Sequence, residues 1–181
     1  MARSIETEIE TARLRLRPWR EEDLNPYARM CADPEVMRYL PGTLTREESM
    51  RQIERFVRHW EEHGFGLWAV EGKAGGEFIG FVGLMRQDDW PVGEHKVEVG
   101  WRLDRRSWGN GFATEGAVAS LRYGFDRLKL PRIISICDPR NTASRRVMEK
   151  AGLTFRGEAR WRGYDDVWYA ADCRDWLNAD G

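Results

Sequence analysis

Cysteine is scarce and odd in number: Cys31, Cys137 and Cys173 lie far apart in a chain of 181 residues. That spacing builds neither a disulfide framework nor a zinc site, so no metal is expected and a reducing, cytoplasmic compartment is. Charge of one sign is lacking too. Twenty-nine Lys and Arg against 30 Asp and Glu leave a net charge of −1, without the basic surplus that a nucleic-acid partner calls for. No run approaches the roughly 20 apolar residues of a membrane span, and Met1–Glu8 carries no apolar stretch of a signal peptide. No repeat, low-complexity segment or dividing linker is present, so residues 1–181 are expected to form one domain. What the chain does have is aromatic bulk: nine Trp, seven Phe and five Tyr suffice for a large core and argue against disorder.

Hydrophobic spacing predicts the elements. Arg13-Leu14-Arg15-Leu16-Arg17 alternates as a half-buried strand stopped by Pro18. Leu24, Tyr27, Ala28 and Cys31 predict a short helix ending before Pro34. Thr45 and Glu48 form a capping-box pattern ahead of Met50, Ile53, Phe56, Val57 and Trp60, a helix over about 45–62. Segments 65–71 and 78–85 flank a Gly-rich turn as a hairpin, and Val97, Val99, Trp101 and Leu103 mark a third antiparallel strand with one buried face. A helix through Ala113 to Leu128, an apolar strand at Ile133–Cys137, and a helix capped by Asn141 and stopped by Gly152 follow. Two strands, over 153–161 and 167–173, close the chain. The fold class is α+β with a mixed sheet.

Several motifs fail. His59-Trp60-Glu61-Glu62-His63 lacks the Glu after its first His that a zinc protease needs, and reads as a solvated helix face. Gly109-Asn110-Gly111 is followed by Thr114 where a dinucleotide fingerprint needs a third Gly. No nucleophile elbow is present, and the aromatics lack the basic stripe of a base-stacking surface.

One constellation holds. The strand 97–103 runs through Asp104-Arg105 into Arg106-Ser107-Trp108-Gly109-Asn110-Gly111-Phe112-Ala113-Thr114-Glu115, where an amphipathic helix opens. Two glycines there let backbone N–H groups converge ahead of the helix dipole, an arrangement suited to a pyrophosphate, with Arg106 adding positive charge. The same residues also read as a tight strand-to-helix turn.

This stretch resembles the R/Q-x-x-G-x-G/A loop of the GNAT N-acetyltransferases. Asn141-Thr142-Ala143-Ser144 with Val147, Lys150, Ala151, Gly152 and Leu153 is similar to the N-x-x-S-x-x-(V/L)-x-x-K-x-G-F segment of that family's RimJ/RimL-like branch, Leu153 replacing the usual Phe. Thr11–Pro18, Asp33–Met37 and Gly163–Tyr169 resemble further blocks of the branch in the same order. The resemblance implies a single-domain GNAT fold: a mixed, mostly antiparallel sheet, splayed at an acetyl-CoA cleft between strands 97–103 and 133–137, with helices on both faces. It implies that the backbone of Val99, Trp101 and Leu103 lines the pantetheine arm. Arg106 and the backbone of Trp108, Gly109, Asn110, Gly111, Phe112 and Ala113 would hold the pyrophosphate, Asn141 the pantetheine or thioester end, and Arg145 or Arg146 the adenine end.

The implied reaction is direct attack of a neutral amine on the thioester of acetyl-CoA, the cosubstrate. It requires an amine base, an oxyanion donor and an acid for the leaving thiolate. Gly100, mid-strand, is expected to mark a bulge that offers the oxyanion its N–H. Ser144 is the expected thiolate acid, or else a first-turn serine with only a local hydrogen bond. Glu98 is the expected base, or else a solvated charge paired with Lys96 or Arg102; Glu158, Asp165, Asp166 or a water relay are alternatives. The expected acceptor is a protein N-terminal α-amine, because a pKa of about 7.7–8.0 leaves it far more often neutral than a lysine at about 10.4. An amino acid, polyamine or antibiotic amine is the alternative, and a non-catalytic acyl-CoA sensor a further one. Trp60, Trp68, Trp90, Trp161 and Trp168 line the acceptor cleft or belong to the core. The chain is expected to act as a monomer or homodimer.

Overall fold

The computed structural model describes residues 8–179, so the reading of residues 1–7 as free of a leader lies outside the described residues. The elements in order are β1 (Ile9–Glu10), β2 (Leu14–Arg17), α1 (Leu24–Ala32), α2 (Arg46–His63), β3 (Leu67–Gly72), β4 (Phe78–Arg86), β5 (Val97–Leu103), α3 (Phe112–Asp126), β6 (Arg132–Cys137), α4 (Thr142–Lys150), β7 (Thr154–Trp161), β8 (Tyr164–Asp172) and α5 (Cys173–Ala179). The strands form one eight-stranded sheet in the order β1-β2-β3-β4-β5-β6-β8-β7. Every neighbouring pair is antiparallel except β5 with β6.

Local chemistry accounts for the boundaries. The capping box at Thr45 is complete: its hydroxyl accepts from the Glu48 N–H, and its own N–H donates to the Glu48 carboxylate at 2.7 Å. On one sheet face Val82, Leu84, Val97, Val99 and Ile133 pack with Ala117 and Leu121 of α3 and Met148 of α4. On the other, Leu67 and Phe81 pack with Tyr27 and Met30 of α1 and Phe56 of α2. A Cβ on Gly116 would stand 2.8 Å from Val82 Cγ1, so this glycine lets α3 lie close against β4. A third cluster, Trp90, Ile134 and Ala170 with Trp161 and Trp168 against it, covers the second face beyond β5.

The structure departs from the sequence-based expectation at several points. Among the described residues, β1 and α5 were not anticipated; both are too short to show a period. α5 begins at Cys173, where a strand was expected to end, and its Trp176 indole donates to Ala151 O at 2.8 Å. His59 is buried rather than solvated: the Arg86 N–H donates to its Nε2 at 3.0 Å, leaving Nδ1 to donate to Phe65 O at 2.9 Å. Burial depresses its pKa and keeps the ring neutral. Arg17, expected at the edge of a half-buried strand, is likewise buried. Two 2.8 Å bonds to Asp23 and a 2.9 Å bond to Glu71 compensate its charge.

Candidate active site

The sheet opens where β5 meets β6. Their register contains a single partner pair, Glu98 with Ile134. A continued parallel ladder would next bond the Ile136 N–H to Val99 O. Instead, Ser135 Oγ donates to Val99 O at 2.8 Å. The Ser135 hydroxyl thus occupies the carbonyl that the next rung would use. Beyond this point β5 pairs only with β4. The backbone groups of Val99, Trp101 and Leu103 face the gap, as the hydrogen bond from Trp108 Nε1 to Leu103 O confirms for one of them. The expected bulge at Gly100 is absent: the β4–β5 register runs unbroken from Gly80↔Leu103 to Arg86↔Val97. The gap arises from interrupted pairing with β6, not from an extra residue in β5.

At the far end of β5 the chain enters the loop before α3. Gly109 and Gly111 have φ of +76° and +78°, conformations that side chains rarely adopt. Gly111 is the N-cap and no side chain caps this helix, so the N–H groups of its first turn are free of intrahelical partners. Arg106 is almost fully exposed, and Asp104 holds it at 3.1 Å. Asn110 turns its side-chain amide back onto the carbonyls of Ser107 and Trp108.

Sequence reasoning missed what fixes this loop. Glu115, in the first turn of α3, accepts from the Thr11 hydroxyl at 2.6 Å, the Arg13 N–H at 2.8 Å and Arg13 Nε at 2.7 Å. Arg13 Nη1 in turn donates to Asn110 O at 2.8 Å, and its guanidinium covers the Phe112 ring at 4.7 Å. The turn between β1 and β2 thereby clamps a loop nearly 100 residues away, as the 97-residue separation of Arg13 and Asn110 measures. Nothing in the local sequence signals such a pairing.

On the other side of the gap, Asn141 caps α4, its Oδ1 accepting from the Ser144 N–H at 3.1 Å. Its carbonyl is therefore occupied, leaving the side-chain amide N–H groups to reach elsewhere. Ser144 is half-buried at the start of α4, and its hydroxyl makes no hydrogen bond among the described residues. Arg145 is tied to Tyr169 Oη at 3.0 Å and to Pro139 O; Arg146 is exposed.

Glu98 occupies the opposite face of β5 from Val97 and Val99, as alternation requires, at the end of that face where Trp90, Trp161 and Trp168 gather. Gln87 Nε2 donates to it at 2.8 Å. Neither proposed ion-pair partner engages it: Lys96 donates to Trp90 O, and Arg102 turns to Tyr27, Cys31 and Gln52. Burial raises the Glu98 pKa to about 7, against the smaller lowering effects of Gln87 and the Ile136 N–H. Asp166 is also raised, chiefly by burial and then by Asp138 and Asp165. Glu158 and Asp165 are exposed, the latter paired with Arg160 at 3.0 Å. Of the five tryptophans, Trp68 and Trp90 are fully buried. Trp60 packs on Trp68 on the α3 face, while Trp161 and Trp168 gather about Trp90 on the Glu98 face. Burial also pushes the Cys137 thiol up to about 12. Among the described residues, no cluster of three or more His, Cys, Asp or Glu is placed to hold a metal, and no helix is long and apolar enough to cross a membrane.

Known proteins share this architecture. Residues 13–154 match the family model described as an acetyltransferase (GNAT) domain. The protein YkkB of Bacillus subtilis is 34% identical over 84% of this chain and 88% of its own. An FsC-acetyl coenzyme A-N(2)-transacetylase of Aspergillus fumigatus is 31% identical over 93% of this chain and 77% of its own. Among solved structures, a GNAT-family acetyltransferase from Bacillus anthracis superposes with a TM-score of 0.79 at 29% identity, covering 92% of this chain and 99% of that one. A RimL ribosomal L7/L12 α-N-protein acetyltransferase, solved with coenzyme A, has a TM-score of 0.74 over 91% of this chain and 97% of its own; at 16% identity it shares the fold.

Proposed function

The chain belongs to the GNAT acetyltransferase family, acyltransferases that use acetyl-CoA, and from that premise we propose that it acetylates a primary α-amine with Glu98 as base and Ser144 as acid. The observation that carries this reading is Glu98, a carboxylate raised to about 7 where β5 and β6 part. The gap suits acetyl-CoA. The uncapped α3 N-terminus with Gly109 and Gly111 offers N–H groups to the pyrophosphate, with Arg106 and the backbone of Trp108, Asn110, Phe112 and Ala113 beside it. The gap-facing edge of β5 at Val99, Trp101 and Leu103 runs along the pantetheine, and the Asn141 amide reaches the thioester end.

The acceptor approaches from the Glu98 face, while α4 and Ser144 lie on the α3 side of the sheet. Glu98 takes the ammonium proton directly or through one water. The amine nitrogen bonds to the thioester carbon, and the oxyanion accepts from the gap-facing Trp101 N–H. Collapse breaks the C–S bond: the departing sulfur takes the Ser144 hydroxyl proton, and the excess proton left on the acylated nitrogen passes to solvent, from which Ser144 is reprotonated. A base near 7 is half ionised at neutral pH and matches an α-amine of pKa about 8 better than a lysine of about 10.4. We read the chain as RimJ/RimL-like on its Asn141–Ser144 block, a single acetyltransferase domain over 1–181, cytoplasmic, acting as monomer or homodimer. The preferred acceptor is a protein N-terminus. A small amine is the second reading, favoured by the bare β5 surface at Gly100, where a Cβ would meet nothing within 4 Å.

Thermal melting with acetyl-CoA and release of CoA thiol with an amine panel test this. Saturation at about 100 Kd adds about 2.7 kcal/mol of stability, and thus a shift of several degrees. A shift equalled by NAD, or thiol release independent of every peptide and small amine, would sink the reading.

A further inference from the structure

Arg102 lies on β5 on the same face as Glu98, with Gly100 between them. Across the sheet these residues pair with Phe81, Met85 and Gly83, so the surface between the two charged groups has a glycine floor on both strands. A Cβ at Gly100 would meet nothing within 4 Å; the space above that strand is open. At one end of this groove stands the Glu98 carboxylate, at the other the half-buried Arg102 guanidinium. Its Nη1 is shared among neutral partners, Tyr27 Oη at 3.3 Å, Cys31 Sγ at 3.3 Å and Gln52 Oε1 at 3.1 Å, and the group lies 5.2 Å from the Phe81 ring centroid.

The contrast with Arg17 is instructive. Arg17 is buried against the carboxylates of Asp23 and Glu71. Arg102 enters no ion pair among the described residues, although its side chain is half-withdrawn from water. A guanidinium in that position gains from an anion, and its planar fork suits a carboxylate. The strand separates Cα 98 from Cα 102 by about 13 Å at roughly 3.3 Å per residue, a span longer than an α-amino acid's own amine-to-carboxylate distance.

We propose that the acceptor carries a carboxylate several bonds from its amine, and that Arg102 receives this carboxylate while Glu98 faces the amine. This rests on the acetyltransferase reading and narrows its acceptor to acidic amines, at the expense of polyamines and aminoglycosides. Two sources present that chemistry: a free acidic amino acid, or a peptide N-terminus with an acidic residue next to its first.

The experiment uses two isosteric pairs, L-glutamate against L-glutamine and Ala-Glu-Ala-amide against Ala-Gln-Ala-amide. Binding to the CoA-saturated protein is read by calorimetry, and transfer by thiol release. The carboxylate member of at least one pair should bind about 10- to 100-fold more tightly, the worth of one charge-assisted hydrogen bond. The pair that discriminates identifies the source. Arg102→Gln should abolish the preference and Arg102→Lys retain part of it, both with acetyl-CoA stabilisation intact as the control for folding. Equal affinities within both pairs, or a preference that survives Arg102→Gln, overturn the proposal. A carboxylate preference in binding without any acetyl transfer would instead overturn the acetyltransferase roles and leave the Arg102 site standing.

Discussion

Replacing Glu98 with Gln should make the protein more stable and less active, with the stability gain growing from about pH 4.5 to about pH 7 and holding above it. The carboxyl titrates at about 7 in the folded chain against an ordinary 4.5. Between these values the folded chain holds a proton that the unfolded chain has released. Stability from this group is therefore greatest below about pH 4.5, falls as pH rises and levels off above about 7. Each unit of separation is worth about 1.4 kcal/mol. The separation between 4.5 and about 7 sets a ceiling of about 3 kcal/mol. The carboxyl retains some water access, which reduces the expectation to about 1–3 kcal/mol. Gln cannot ionise, yet its amide oxygen can still accept from the Ile136 N–H, so the variant escapes this cost. At about 2–4 °C per kcal/mol for a chain of this size, Glu98→Gln should melt several degrees above the parent at pH 8 and together with it near pH 4.5. Turnover should fall about 10²- to 10⁴-fold, the usual worth of a positioned base. The parent's kcat/KM should rise with pH through a limb near 7. Melting curves and pH–rate profiles of both proteins decide the matter. A limb near 4.5 with no stability difference at pH 8 would refute the buried-base reasoning.

Other outcomes follow from the same geometry. Arg13→Ala should weaken acetyl-CoA binding about tenfold in calorimetry while changing global stability by under about 1 kcal/mol, because its ion pair with Glu115 is surface-exposed but holds the loop before α3 that we propose receives the pyrophosphate. An unchanged affinity would remove the clamp from the account. Ser144→Ala should lower kcat more than it raises the KM for acetyl-CoA, since the hydroxyl is assigned to the departing sulfur; an unchanged kcat with chemistry rate-limiting would end that assignment. His59→Phe should cost about 1–3 kcal/mol in urea denaturation at pH 7.5 by stranding the Arg86 N–H and Phe65 O. Because His59 is held neutral, the parent should lose stability as pH falls below 6.5, and the variant should not lose that increment.

Much of the fold was legible because its signals are local. The capping box at Thr45, the alternation through Val97–Leu103 and the glycines ahead of α3 each act within a few residues, and each appears where expected. The family likewise announced itself in short motifs. Less legible were charges whose partners are remote in sequence. Arg17 looked like an edge residue until Glu71 and Asp23 met it, and His59 looked solvated until the Arg86 N–H reached its ring. Alternation put Glu98 on its correct face but could not show that Trp90, Trp161 and Trp168 gather on that face, nor that Gln87 reaches its carboxylate.

The sequence by itself determined the longer strands and helices, though not β1 or α5, and the loop that opens α3, because hydrophobic period, capping and left-handed glycine conformations depend only on near neighbours. Tertiary structure alone decided the working chemistry. Where β5 parts from β6, Ser135 takes the Val99 carbonyl 36 residues away, and no bulge stands at Gly100 as its sequence position suggested. The pKa of Glu98, the clamp of Arg13 on Asn110 and the uncompensated charge of Arg102 likewise arise only when distant segments are brought together. Desolvation and long-range hydrogen bonding are properties of the assembled surroundings, and no residue carries them in its own sequence context.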